Sequence, residues 1–258
     1  MAFQHIRLEQ DEQAVATLTL DRPKSLNALN GAMVDELREA VESLTGSGAR
    51  CLLITGEGRG FSSGADLAGG GLPDDVGASL ENHFNPLVEA LFACPMPVVA
   101  AVNGPCAGAG CSLALAADIV IAGRSAYFLQ AFINIGLIPD AGATWLLPRL
   151  AGRARAMEMM MLGERVPAEQ AERWGLISRM VEDDALAGGA RALAERLAAG
   201  PTRSYGLLRR LARDAEQSSL TEALAAERIA QRDAGRTKDF QRGVMAFLAK
   251  QEPRFRGD

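Results

Sequence analysis

The chain has 258 residues, 48% of them hydrophobic and 23% charged, enough for one well-buried core with an appended element. The formal net charge is −5 with no basic half, so nothing marks a nucleic-acid footprint, and no apolar run is long enough to span a bilayer. Residues 1–13 lack the basic-then-apolar layout of a secretory signal, so a cytoplasmic protein is expected.

The elements follow in chain order. Residues 5–8 and 14–20 alternate apolar and polar side chains and read as a strand pair joined by a polar turn at 10–13. Met33, Leu37, Ala40, Val41 and Leu44 recur at helical spacing over 33–44. Residues 51–54 form a short apolar strand stopped by Gly56, and the glycine-rich run 56–71 is no regular element. A helix over 76–92 is expected to be irregular near Asn85-Pro86. Residues 98–102 read as a buried strand, 103–110 as a glycine and alanine turn, 111–117 as a small-residue helix, and 119–122 and 127–129 as short strands. Strand, strand, helix in repetition predicts successive ββα turns. From Gly142 the pattern is helical apart from a strand near 177–181, with helices at 185–198, 203–215, 220–232 and 237–249. Gly200-Pro201 punctuates the first two of these, so residues 1–199 read as the core and 200–258 as a helical module.

Several side chains have bland readings. Two histidines, His5 and His83, give a metal centre little to work with, and no metal is expected. Cys51, Cys94, Cys106 and Cys111 show no C-x-x-C spacing and read as buried free thiols. The methionines of 157–161 read as packing, Asp118 as a residue that orders the strand after it, and His83 as a surface histidine.

The chemistry points to two loops. Phe61-Ser62-Ser63-Gly64-Ala65-Asp66-Leu67 follows a strand, and Asn103-Gly104-Pro105-Cys106-Ala107-Gly108-Ala109-Gly110-Cys111 follows another and opens a helix. Small residues let backbone approach a ligand and leave N–H groups free at a helix start. Two such loops can aim two backbone donors at one oxygen, which is an oxyanion hole. Gly108-Ala109-Gly110 is not a dinucleotide fingerprint, because the third glycine and the following acid are missing.

Together with Arg22-Pro23-Lys24-Ser25-Leu26-Asn27-Ala28-Leu29, Gly136-Leu137-Ile138-Pro139-Asp140-Ala141-Gly142 and Gly243-Val244-Met245-Ala246-Phe247-Leu248, these blocks resemble the enoyl-CoA hydratase/isomerase (crotonase) family over nearly the whole chain. The resemblance implies an α/β fold, a spiral of ββα turns with a C-terminal helical module that assists trimer formation, giving a homotrimer or dimer of trimers. It implies an acyl-CoA substrate, with coenzyme A entering as part of it and no separate cofactor. It places the two oxyanion donors at the N–H groups of Ala65 and Ala109. It implies contacts to substrate or coenzyme A from Lys24, Ser63, Ala65, Asp66, Leu67, Gly108 and Phe132, and from Phe247 and Lys250, often across a subunit boundary. A turn-capping role competes for Asp66.

The reaction is less specified. The two glutamates that hold water in hydratases of this family align with Ser112 and Phe132, so both carboxylates are absent. One acid remains, Asp140, where hydratases usually carry glycine. The run 136–155 looks closest to the branch of ring 1,2-epoxyphenylacetyl-CoA isomerases and enoyl-CoA isomerases. A 1,3-shift of a double bond needs one base and no water, and desolvation near Phe132, Leu137 and Trp145 would raise the carboxyl pKa toward the working pH. The expectation is therefore an isomerase with Asp140 as proton shuttle. A hydratase or other acyl-CoA lyase or hydrolase is one rival; an inactive CoA-binding subunit is another. For Asp140 the competing reading is a turn or helix-capping residue.

Overall fold

The computed structural model describes residues 3–67 and 75–258. The end of the expected glycine-rich run, 68–71, lies outside the described residues. Strands β1 (Ile6–Gln10) and β2 (Val15–Leu20) pair antiparallel, with Ile6 opposite Leu20. Asp11 makes the turn between them by accepting the N–H groups of Gln13 and Val15 at 2.8 and 3.1 Å, an Asx turn that replaces ladder bonds with side-chain ones. Next come β3 (Cys51–Gly56), β4 (Val98–Val102), β5 (Pro105–Ala107), β6 (Ile119–Gly123), β7 (Tyr127–Leu129), β8 (Val166–Pro167) and β9 (Arg179–Val181).

They form two sheets. The larger has the order β1-β2-β3-β4-β6-β9, parallel from β2 onward, and the smaller has β5-β7-β8. From β4 to β7 consecutive strands alternate between sheets: β4 feeds β5, and β6 feeds β7. This is the crotonase-type spiral, and it corrects one reading, since residues 105–107 are a strand and not part of a turn. β5 pairs with β7 through Cys106 and Phe128. Its three residues are too few for any periodicity to show.

The large sheet is covered on both faces, as parallel sheets require. Leu52 and Ile54 of β3 and Val98 and Ala100 of β4 join one core cluster, while Cys51, Leu53, Val99 and Ala101 join the other. This is the period-2 alternation of a strand. Helix α1 (Gly31–Ser43) seats Met33, Val34, Leu37, Ala40 and Val41 in the first cluster and is capped by Asn30, which accepts from Met33 N at 2.9 Å.

The segment expected as one irregular helix is α2 (Val76–Ser79), a π-helical turn (Leu80–Phe84) and α3 (Asn85–Ala93). Pro86 has no N–H for the carbonyl four residues earlier and its ring crowds that carbonyl, so the irregularity falls in the turn before it. Helix α4 (Gly108–Leu115) is buried along its whole length. It begins three residues earlier than expected, so the glycine run is its first turn.

Helices α5 (Ala143–Ala151), α6 (Arg153–Leu162) and α7 (Ala168–Trp174) follow, and α8 (Asp183–Ala198) closes the second cluster with Leu186, Ala190, Ala194 and Ala198. The last helices are α9 (Thr202–Asp214), α10 (Leu220–Gly235) and α11 (Lys238–Leu248). Among the described residues no helix is long and apolar enough to cross a membrane.

Arg209 pins α9 to the sheet. Its buried guanidinium meets Asp118 Oδ2 at 2.5 Å and donates to the carbonyls of Leu91, at 3.1 Å, and Cys94. Asp118 also accepts the N–H of Val98 at 2.8 Å, so one carboxylate orders the start of β4 and holds the C-terminal helices. Removing one partner of a buried pair leaves the other charge uncompensated, which typically costs roughly 3–5 kcal/mol. Arg213 lies 3.3 Å from the same carboxylate and offsets part of that. Arg209→Ala is expected to lose roughly 3 kcal/mol in urea denaturation, and a loss below about 0.5 kcal/mol would show that the pair is not the anchor.

Candidate active site

The first loop leaves the C-terminal end of β3 and is shaped by the segment 22–29. Leu26 and Asn27 both take left-handed backbone, φ 53° and 55°. Asn27 tolerates this because its buried amide is fully used: Oδ1 accepts from Arg22 N at 2.9 Å, and Nδ2 donates to the carbonyls of Glu57 and Gly60 at 3.0 and 2.8 Å. The turned segment then receives the loop. Ser63 N donates to Leu26 O, Leu29 N to Gly64 O, and Asp66 N to Leu29 O, at 2.8–2.9 Å.

This pattern orients Ala65. Where two strands form a parallel bridge, the residues flanking the bridged one turn their C=O and N–H toward the partner, and the bridged residue points its own groups away. Ala65 is the bridged residue opposite Leu29, so its N–H faces away from Leu29. No hydrogen bond from it is found among the described residues.

The second loop lies against the first. Ser62 pairs with Cys106, and Ala107 N donates to Ser62 O at 2.9 Å. The backbones touch: a Cβ on Gly64 would lie 2.9 Å from Ala107 O, and one on Gly110 2.5 Å from the Ser62 side chain. Gly64 also sits at φ 93°, where side chains are strained. Ala107 N is taken by Ser62, so the N–H groups of the first turn of α4, Ala109 among them, are left without intrahelical partners. Ala65 is exposed and Ala109 is buried.

Asp140 meets α4 from a third element. Its carbonyl accepts from Ala143 N at 3.0 Å and from the Ser112 hydroxyl on α4, also at 3.0 Å. Left-handed Ala141 and Gly142 (φ 48° and 85°) turn the chain into α5. Around it, the Phe132 ring packs over Gly108, with Cζ 3.6 Å from where a Cβ would sit, and Val88 and Leu146 stand against Gly142. One carboxylate oxygen, Oδ1, is buried without a hydrogen-bond partner. Burial pushes the Asp140 carboxyl up from 3.8 to about 6. The capping reading fails here: the N-cap of α5 is Gly142, and no side chain caps it.

The other expected site residues divide. Ser63 is exposed, with its hydroxyl 3.2 Å from Ser25 O. Lys24 is exposed on the adjoining 3-10 turn, and Leu67 is also exposed. The Asp66 carboxylate pairs with Arg22 at 2.8 Å and holds the two segments together. Phe247 and Lys250 are exposed on and just after α11. That helix shares a groove with Pro201 and Phe255, and the tail returns to Arg50, which donates to the carbonyls of Phe255 and Gly200 at the N-terminal end of β3. The loops lie at the C-terminal end of that strand, so one chain does not bring these two residues to its own loops. A cavity of about 840 Å³ opens at that opposite edge, between Cys94–Met96 and α9.

Residues missed from sequence are supports. Asn27 could have been flagged as a non-glycine residue suited to left-handed backbone, and Ser112 as a lone hydroxyl in a run of small apolar residues. His83 is half-buried and pairs with Asp35 at 2.9 Å. Among the described residues no group of three or more His, Cys, Asp or Glu is placed to hold a metal.

The profile of the family described as enoyl-CoA hydratase/isomerase matches residues 10–258. The chain belongs to that family. An Escherichia coli K12 relative of this enoyl-CoA hydratase/isomerase family member, named 1,2-epoxyphenylacetyl-CoA isomerase, is 49% identical over 256 residues, covering 97% of this chain and 98% of the relative. The 2,3-dehydroadipyl-CoA hydratase of the same organism is 36% identical over 247 residues, covering 95% and 96%. The crystal structure of an enoyl-CoA hydratase from Bacillus anthracis superposes with a TM-score of 0.93 at 30% identity, covering 99% and 100%. The family member therefore has relatives named for both reactions.

Because the Asp140 pKa is raised on folding, the folded state holds its proton more tightly than the unfolded state does. The cost of burying the charge is absent below pH 3.8 and grows as pH rises through about 6. Asp140→Asn is expected to match wild type in thermal midpoint near the acid end of that window and exceed it well above the window. A variant less stable than wild type in mild alkali would show that the carboxylate is favourably held.

Proposed function

We propose that this family member is a cofactor-free isomerase of acyl-CoA thioesters. It moves a double bond in a 3-enoyl-CoA, or performs the related rearrangement of a ring-epoxide or oxepin-type acyl-CoA. The observation that carries this is one carboxylate, Asp140, with a buried oxygen that has no partner, on a residue tied to the helix that carries the Ala109 N–H; among the described residues no backbone bond takes the N–H of Ala65 or Ala109.

The thioester oxygen sits between the N–H groups of Ala65 and Ala109. Asp140 takes a proton from the α-carbon, the electron pair moves onto the carbonyl oxygen, and the two donors stabilise the charge. Such preorganised donors are worth on the order of 3 kcal/mol each in other enzymes. The same carboxyl then returns the proton to the γ-carbon, and the conjugated product forms with no water consumed. The raised pKa brings the carboxyl closer to the acidity of the carbon acid it serves. Ser112 and Phe132 supply no second acid, and the Phe132 ring occupies space that hydration would give to water. The hydratase reading is favoured only by relatives bearing that name. A CoA-binding subunit without activity would have no use for a desolvated acid.

Coenzyme A lies along Lys24, Ser63, Leu67 and the Arg22–Asp66 pair, with Gly108 and Phe132 at the acyl end. Phe247 and Lys250 serve a neighbouring copy, in a homotrimer or dimer of trimers. Leu208, Leu220, Leu224, Met245, Phe247 and Leu248 are all exposed on the last three helices, an apolar area that an assembly would cover.

Asp140→Asn is expected to fold yet lose at least about 10³-fold in isomerisation of 3-hexenoyl-CoA, followed by absorbance of the conjugated thioester. In wild type kcat/KM should rise with pH through about 6 and level off above it, because the base is the ionised form. Wild-type activity in the variant, or faster hydration of crotonyl-CoA than isomerisation by the wild type, would refute the assignment.

A further inference from the structure

Ser112 stands where a second carboxylate would serve hydration, yet its own contacts give it a definite task. The side chain is fully buried. Its hydroxyl donates to the carbonyl of Asp140 at 3.0 Å and lies 3.4 Å from the carbonyl of Gly108. The second contact is the ordinary back-bond of a helical serine to the residue four earlier. The first is not local, because it crosses 28 residues of chain to a different element.

The Gly108 carbonyl belongs to the same peptide plane as the Ala109 N–H. One hydroxyl therefore touches the peptide that points a donor at the substrate oxygen and the residue that carries the base. The connection has few substitutes. The Asp140 carbonyl receives one other bond, from Ala143 N, which lies within its own turn and fixes nothing relative to α4. Left-handed backbone at Ala141 and Gly142 makes that turn one that a small shift can relax.

Resting on Asp140 as the proton shuttle, we propose that Ser112 is a positioning residue that ties the base to the oxyanion peptide and sets the distance between them. A proton shuttle demands that this distance hold in both half-reactions, since the carboxyl must serve the α- and the γ-carbon in turn. Displacements near 1 Å cost on the order of 100-fold in rate in well-organised sites. Coenzyme A binding depends on other segments, so the effect should fall on kcat rather than KM.

The test compares Ser112→Ala, Ser112→Cys and Ser112→Thr with Asp140→Asn, using 3-hexenoyl-CoA turnover and α-proton exchange in heavy water. Alanine and cysteine keep the volume near that of serine but lose the strong donor. Both are expected to lower kcat and exchange on the order of 10- to 100-fold with KM within about twofold. Threonine keeps the hydroxyl and should retain most of kcat, even where its extra methyl lowers the melting temperature. Ser112→Ala with wild-type kcat, alongside an inactive Asp140→Asn, would overturn the tie alone. Threonine as slow as alanine would assign the effect to packing and also overturn it. A fully active Asp140→Asn would remove the shuttle, and the tie with it.

Discussion

Two loops meet at glycines that leave no room for a side chain of their own. Gly64 faces Ala107 and Gly108, and Gly110 faces Ser62, at separations that exclude even a Cβ. The proposed site depends on this contact, because it holds the loop that carries Ala65 against the start of the helix that carries Ala109. The spiral creates it. β3 delivers the first loop at its C-terminal end, β4 passes the chain to β5, and β5 hands it to α4 beside that loop. The bridge between Ser62 and Cys106 fastens the first loop to the smaller sheet at this point.

Burying an acid has a cost, visible in the displaced Asp140 ionisation and its unpaired oxygen. Buried polar atoms are nearly always satisfied, and among the unsatisfied ones the Asp140 oxygen is the one whose carboxyl is also pushed up by burial. The apolar surroundings come from residues with other duties: Phe132 packs Gly108, and Val88 and Leu146 pack Gly142. The stability given up there is supplied elsewhere, in the continuous core on both faces of the large sheet and in the Asp118–Arg209 anchor.

Much of the fold was legible in the sequence. The apolar stripe of 33–41 and the buried run 98–102 announce their elements because pattern and burial coincide, whereas the alternation in 15–20 marks a strand that is buried on both faces. What escaped reading is short or depends on distant partners. β5 and β8 have three and two residues, and the π turn answers to Pro86 from several residues away. The two loops and Asp140 were singled out through block order; the structure packs the loops together and ties the Asp140 carbonyl to α4. The Arg22–Asp66 pair spans 44 residues and the Ser112–Asp140 bond 28, so no local pattern could have shown either. Phe247 and Lys250 read as site residues from the same blocks, with contact expected across a subunit boundary; within one chain their helix lies toward the N-terminal end of β3.

The central claim is geometric and is tested most directly by a crystal structure of Asp140→Asn with a bound 3-enoyl-CoA. The thioester oxygen should lie about 2.7–3.1 Å from the backbone nitrogens of both Ala65 and Ala109, with the substituted side chain at position 140 beside the α- and γ-carbons on one face. An oxygen bound by other groups, or a side chain at that position turned away from those carbons, would contradict the account.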